Sequence, residues 1–373
     1  MPAAAAAPRP VETSRLKRAL IGIAIGVVVT ALLAWARGTT IGEALDLRLT
    51  DLRTRRLAGA RAPDPRIVLC QIVEDDLQRL QMAGQPWPWD LELVNAPIFD
   101  LMKKAGVVAV MVDVLQLDRG AGPDDVPAVG ELPPDVLEKR TIEAGKAEEL
   151  AGAWTRIGAV AAGFELAATP GWEIPGRIAV AEQRLRTPGL TAPAGAFARA
   201  GANLPVRRLG EAATVLGFTN GVEDSDGTFR RALTVGRWGE RTAMSLALAT
   251  ASLVSGTTPR LEGDAIVVGA NRQRVEPDGS FLIDFRGAPL RTYPRVAPWQ
   301  LYQWAQEEYA KKEVPEAAKR ALAGKIVVWG VNAAGLKDLI ASPMSGVHDG
   351  PEIQATILDN LLHGDGRVAV PPW

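Results

Sequence analysis

Between Ala19 and Ala36 the chain reads ALIGIAIGVVVTALLAWA, a run without charge in which Thr30 is the polar exception. At about 1.5 Å of rise per residue, a helix of this run is about 27 Å long, near the hydrocarbon thickness of a bilayer. The run therefore predicts a transmembrane helix over 19–37, with Trp35 at the interface. A secretory signal peptide is the competing reading, because Ala34-Trp35-Ala36 fits a small-x-small cleavage site. The long N-terminal region ahead of the run favours an uncleaved anchor. Arg9, Arg15, Lys17 and Arg18 crowd against the run. Of the basic residues after it, Arg37 is adjacent, but Arg48, Arg53, Arg55 and Arg56 start a helical turn or more away. That asymmetry favours a cytoplasmic tail over 1–18 and a body on the far side of the membrane. Gly22 and Gly26 form a G-x-x-x-G, a candidate surface for homodimerisation through the membrane helix, although glycine is common in such helices anyway.

Composition removes other options. Lys+Arg 42 against Asp+Glu 43 leaves a net charge of -1, which argues against a phosphate-neutralising nucleic-acid binder. The single cysteine, Cys70, excludes an intramolecular disulfide, a Cys-based zinc site and an iron–sulfur cluster. Two histidines, His348 and His363, leave little for a His-based metal site or a His-assisted triad. No metal or other cofactor is implied.

Past the membrane run, Ile41, Leu45, Leu49 and Leu52 are spaced as one helical face among Arg48, Asp51, Arg53 and Arg55, a charged amphipathic stalk that Pro63-Asp64-Pro65 is expected to end. IVLCQIV (67–73), VVAVMVDVL (107–115) and KIVVWGV (325–331) are nearly continuous apolar runs, the pattern of strands buried on both faces. A helix over Leu91–Lys104 between the first two makes a βαβ unit. Further helices are expected over Val136–Ile157, Met244–Val254 and Pro351–Leu362, and a strand over Ala159–Phe164. The acidic, Pro-rich segment 118–134 reads as a loop inserted over one sheet edge, and 168–210 is poorly periodic. Two turns, Glu223–Gly227 and Asp278-Gly279, predict hairpins joining Gly217–Asn220 to Phe229–Val235 and Arg274–Val275 to Phe281–Phe285. The fold class expected is α/β, one domain over 38–366 with a mostly parallel central sheet flanked by helices and antiparallel hairpin additions, preceded by one transmembrane helix.

Taken in order, LDLRLTDLRTRR (46–56), PDPRIVLCQI (63–72), Trp87-Pro88-Trp89, VVAVMVDVL (107–115), GFTNGVEDSDGTFRRAL (217–233), DGSFLIDFRG (278–287) and GKIVVWGVNAAGLKDLIASPMSGVHDGPEIQATILDNLL (324–362) resemble the type-2 CHASE domain, the cyclase- and histidine-kinase-associated extracellular sensory domain. The resemblance covers about residues 20–366. It implies the extracytoplasmic, non-catalytic sensor of a bacterial inner-membrane receptor, feeding a cytoplasmic cyclase or kinase. This chain reads through Val370-Pro371-Pro372-Trp373, about where a second membrane helix would be expected, and contains no output sequence; either it is a fragment or the domain acts alone. Gln354 stands where the family often has histidine, and Glu74-Asp75-Asp76 departs from the family's usual turn.

In an open parallel sheet, ligands bind beyond the carboxyl ends of the strands, where strand order reverses. The polar residues there are Glu74, Asp75 and Asp76 after the first strand, Asp113 after the second, and Asn332 with Asp338 after the last. Converging, Glu74, Asp75, Asp113, Asn332 and Asp338 would suit a cationic or polyhydroxyl ligand or a hard cation such as Ca²⁺. The alternative is that Asp75 and Asp113 cap helices and tie loops. Trp87 and Trp89 are either a ligand platform or a plug over the sheet. Asp224-Ser225-Asp226-Gly227-Thr228 reads as a hairpin turn, and the Gly330–Gly335 turn lacks nucleotide-binding spacing. Cys70 reads as a buried apolar residue. Three functions compete: a membrane-anchored sensor of a small-molecule or protein ligand; an exported hydrolase or metal-dependent enzyme using Asp75, Asp113 and Asp338; and a structural module binding a protein through 168–210. The enzyme requires those three carboxylates at one point.

Overall fold

A strand covered on both faces must be apolar on both, and three such runs form the centre of the computed structural model. It describes residues 12–37, 39–123, 125, 133–169, 174–333 and 339–368, with the side chains of 12–16, 33–37 and 41 outside the description. β1 (Ile67–Ile72), β2 (Ala109–Asp113), β3 (Val160–Ala167), β4 (Val215–Phe218) and β5 (Ile326–Val331) form one parallel sheet in the order β1-β5-β2-β3-β4. β5, last in sequence, lies between β1 and β2, pairing Cys70 with Trp329 on one side and Val112 with Trp329 on the other. A short strand, Gly201–Asn203, adds antiparallel to the end of β3.

The period of two splits each strand between two cores. Cys70, Ile72, Val110, Val112, Val327 and Trp329 face α4 (Ala96–Lys104), α5 (Pro134–Ile157) and α7 (Pro298–Lys311). Ile67, Leu69, Met111, Ile326 and Val328 face α6 (Leu246–Ser255) and α8 (Gly350–His363). Two glycines set how closely the second pair of helices approaches. A Cβ on Gly217 of β4 would lie 2.6 Å from the Leu246 Cα, and one on Gly330 of β5 would lie 2.7 Å from the Pro351 Cβ and closer still to its Cγ.

The expected α/β class, the parallel sheet and its flanking helices are present. Several details differ. Both turns form, with Gly227 at φ 74° and Gly279 at φ 83°, but the strands beside them do not pair as hairpins. Gly217 belongs to the central sheet, Val222–Arg231 is a lone bridge, and Arg231–Leu233 pairs with Ser280–Leu282. Asn271–Arg274 pairs instead with Ala265–Val268. Turn chemistry is local, whereas pairing follows where the apolar faces are buried. The described part of the loop after β2 is pinned. The buried Arg177 donates to Asp125 at 2.8 Å and to the carbonyls of Leu117 and Leu204, while the other Asp125 oxygen accepts from the Arg207 amide. Much of that loop, residues 124 and 126–132, lies outside the description.

The chain divides into two compact units, residues 1–56 and 57–373. In the first, α1 (Glu12–Arg37) contains the apolar run, and its described apolar side chains from Leu20 to Leu32 are exposed. Among the described residues no helix is long and apolar enough to cross a membrane; residues 33–36, the end of the expected span, have no described side chains. Gly22 and Gly26 have open space beside them. A helix, α2 (Thr40–Leu57), forms where the stalk was expected, with Leu45, Leu49 and Leu52 exposed. It ends at Leu57, ahead of Gly59 at φ 78°, and not at Pro63-Asp64-Pro65.

Candidate functional site

The strand order reverses where β5 inserts between β1 and β2, and a cleft of about 590 Å³ opens beyond the carboxyl ends of β2, β4 and β5. Its floor carries Asp113, the last residue of β2, one of whose carboxylate oxygens is fully enclosed. The chain then continues from Val114 to Arg119 along one wall. That segment is held by its backbone: the Gln116 carbonyl accepts from the Val206 amide at 2.7 Å, and the Leu117 carbonyl accepts from Arg177 at 2.7 Å. The opposite wall is the first turn of α8, with Gly350, Ile353 and Gln354. Thr219 and Gly221 follow β4, and Gly221 allows Phe229 into the cleft, since a Cβ there would stand 3.0 Å from the ring's Cζ and closer to its Cε2. Trp87, Val331 and Ile340 complete the lining.

Apolar side chains dominate this surface and a few polar groups punctuate it, the usual make-up of a small-molecule site of about 300–1,000 Å³. Asp118 is paired with Arg140 at 3.3 Å. Arg119 donates to the carbonyls of Trp89 and Pro88. Burial draws its pKa below the ordinary guanidinium value, and a guanidinium so placed remains charged.

The sequence-derived candidates separate. Asp113 and Trp87 line the cleft. Trp89 does not: it is fully buried in the core, with its ring edge-on to Trp87 at 5.4 Å. One tryptophan is thus a plug and the other a wall. Glu74 and Asp75 are exposed on α3 (Glu74–Met82), where Asp75 pairs with Arg79 at 2.6 Å. The inward carboxylate of that triplet is Asp76. It accepts from the amides of Val73 at 3.0 Å and Trp299 at 3.2 Å, and burial raises its pKa. Asn332 donates to Asp349 at 2.7 Å beside the cleft, in a network where Arg295 meets Gln71 and Glu352. Asp338 lies outside the described residues. Of the three carboxylates the enzyme reading requires, Asp113 lines the cleft, and Asp75 is exposed, paired with Arg79 and absent from that lining. Among the described residues, no three His, Cys, Asp or Glu side chains come together as a metal site. Cys70 is buried, and burial pushes its thiol pKa well up.

Sequence reasoning passed over Gln116, Arg119, Thr219 and Phe229, and noted Gln354 without placing it in the site. The rule that located Asp113 extends to 114–119 and 219–221, because both segments leave strand ends on the same edge. The structure also brings Ser342 Oγ within 2.9 Å of His348 Nδ1. Both are buried, and the same Oγ accepts from the amides of Met344 and Ser345, so the pair ties the 339–349 hairpin. Burial, reinforced by Arg295, lowers the His348 pKa to about 4.

Comparison with known proteins places this architecture. No curated protein and no solved structure matches the chain. A family model, CHASE2 domain, matches residues 24–373. CHASE2 domains are extracellular, non-catalytic sensory domains of signalling receptors. The match spans nearly the whole sequence, and the chain belongs to the CHASE2 domain family.

Proposed function

We propose that this chain is the extracytoplasmic sensor of a membrane-anchored bacterial receptor, and that it takes its ligand in the cleft beyond β2, β4 and β5. The observation that carries this reading is the position of the cleft: 590 Å³, mostly apolar, at the reversal of strand order, in a member of a sensory family. Residues 19–37 act as the anchor, on the strength of the uncharged run and its exposed apolar side chains, and hold the body in the periplasm. A ligand that prefers one conformation of the body shifts its population, and α2 passes the change to α1 and on to a cyclase or kinase output. Gly22 and Gly26 supply the contact between two copies of α1.

Two experiments test the reading. A thermal-shift screen of the full chain against periplasmic metabolites should return compounds that stabilise the wild type and not Gln354→Trp, which fills the cleft. Hits equally effective on both proteins place the ligand elsewhere. A reporter inserted near residue 200 should be active only outside the cytoplasm; activity inside reverses the topology.

A further inference from the structure

One helix touches both the cleft and the segment that joins α2 to β1. The first turn of α8 is a wall of the cleft through Gly350, Ile353 and Gln354. Asp359 lies about 14 Å along the helix axis from Gly350, at about 1.5 Å of rise per residue. Every residue of α8 except Gln354 and His363 is buried, and its start is seated in the gap at Gly330. A helix enclosed by close-packed neighbours has little room to bend, so a push on its first turn is passed along its length.

At the far end, the fully buried Asp359 carboxylate accepts bonds on both oxygens. Its Oδ2 accepts from the Asp64 amide at 2.7 Å and from the Tyr293 hydroxyl at 3.0 Å. Its Oδ1 accepts from Arg286 Nη2 at 2.8 Å and Nε at 3.1 Å. Arg286 reaches on to Asp365 at 2.7 Å and to Asp284 at 3.2 Å. Arg61 in turn donates to Asp284 at 2.9 Å and to the Asp365 carbonyl at 2.9 Å. Residues 61–64 are therefore held to α8 twice, directly at Asp64 and through Arg286 and its acids at Arg61. Bonds of this charge-assisted kind are short and directional, so a displaced Asp359 breaks or exchanges them instead of stretching them. Resting on the reading that the cleft is the sensor's ligand site, we propose that α8 carries occupancy of the cleft to the segment between α2 and β1, with Asp359 as the positioning residue that couples them.

The test is hydrogen exchange of the full chain in lipid nanodiscs, with the substitution Gln354→Trp as the probe that fills the cleft. The expected result is that Gln354→Trp changes the exchange rate over 59–66 by threefold or more, while 301–311 in α7, on the opposite face of the sheet, keeps its rate. In an Asp359→Asn background the same probe should lose at least half of that effect at 59–66. Circular dichroism shows whether Asp359→Asn folds. If it does not, Tyr293→Phe, which removes one donor from Asp359 and leaves its charge, takes its place with the same expectation. A change at 59–66 below threefold, an equal change over 301–311, or an effect that survives undiminished in the background that folds overturns the proposal. The cleft itself is judged separately by the metabolite screen. Compounds blocked by Gln354→Trp keep the cleft as the ligand site even where the exchange result overturns the coupling, and a screen with no such compound removes the reading and the proposal together.

Discussion

Gly330→Ala isolates the packing that builds one wall of the cleft. Gly330 sits in the middle of the sheet, in register with Asp113 of β2, and its missing side chain is the space into which Pro351 packs. A Cβ there would stand 2.7 Å from the Pro351 Cβ, about 1 Å inside the optimal carbon–carbon separation of about 3.5–4.0 Å. The proline ring is part of the backbone of the first turn of α8 and cannot rotate aside, so relief requires the helix to move. Overpacking of this kind costs about 1–3 kcal/mol, and the rigid neighbour argues for about 3 kcal/mol. Gly346→Ala is the control. It is also in a strand, has no atom within 4 Å of its would-be Cβ, and shares the modest gain from a less flexible unfolded chain. The difference between the variants therefore removes that gain and reports the clash. At about 2 °C per kcal/mol for a unit of this size, Gly330→Ala should melt about 6 °C below Gly346→Ala. The assay is thermal unfolding of the full chain in detergent, with denaturant titration as a check. Melting temperatures within about 1 °C of each other would refute the claim that α8 is seated through the gap at Gly330.

Other expectations follow from buried charge. His348 is held at about 4 against 6.5 in the unfolded chain, so the unfolded state binds more protons between those values and stability falls as pH drops through that window. At about 1.4 kcal/mol per pH unit, the wild type should lose about 3 kcal/mol relative to His348→Gln between pH 6.5 and 4, measured by denaturant unfolding. Arg177→Met leaves Asp125 buried without its guanidinium and should cost about 3–5 kcal/mol, read as a shift in denaturant midpoint; a loss below about 1 kcal/mol contradicts the pinning of the loop after β2. Asp76→Ala should destabilise by about 1–3 kcal/mol because it orphans two amides, whereas Asp75→Ala should stay within about 1 kcal/mol, its partner being an exposed Arg79; equal midpoints contradict the inward placement of Asp76.

The legible part of this fold was the part under the heaviest physical constraint. β1, β2 and β5 announce themselves because strands covered on both faces have no room for polar residues. The helix with Pro351 in its first turn could be read because a proline there removes an amide that would have no intrahelical partner. The helix Pro298–Lys311 escaped notice, since its mixture of Trp, Tyr, Gln and Glu has only three buried positions and carries a weak apolar stripe. The two acidic turns were correctly placed, but the partners of the strands beside them depend on contacts far away in sequence, such as Arg231–Leu233 with Ser280–Leu282. The site shows the same division. Asp113 was found because a polar residue ending an apolar strand has few explanations. Which of Asp75 and Asp76 is buried was not legible, because consecutive positions on a helix differ by about 100° and nothing local says which of them faces inward. Arg119 was invisible for a different reason: its neighbours in space, the carbonyls of Pro88 and Trp89, lie about thirty residues earlier in the chain.

The most direct test of the cleft as the place where this sensor meets its ligand is hydrogen–deuterium exchange on the full chain, with and without the compound giving the largest thermal shift in the metabolite screen. Protection should concentrate at 113–119, 219–221 and 350–354, the three segments that line the cleft from separate parts of the sequence. Protection confined to surfaces away from those segments, with all three unchanged at saturation, would contradict the account.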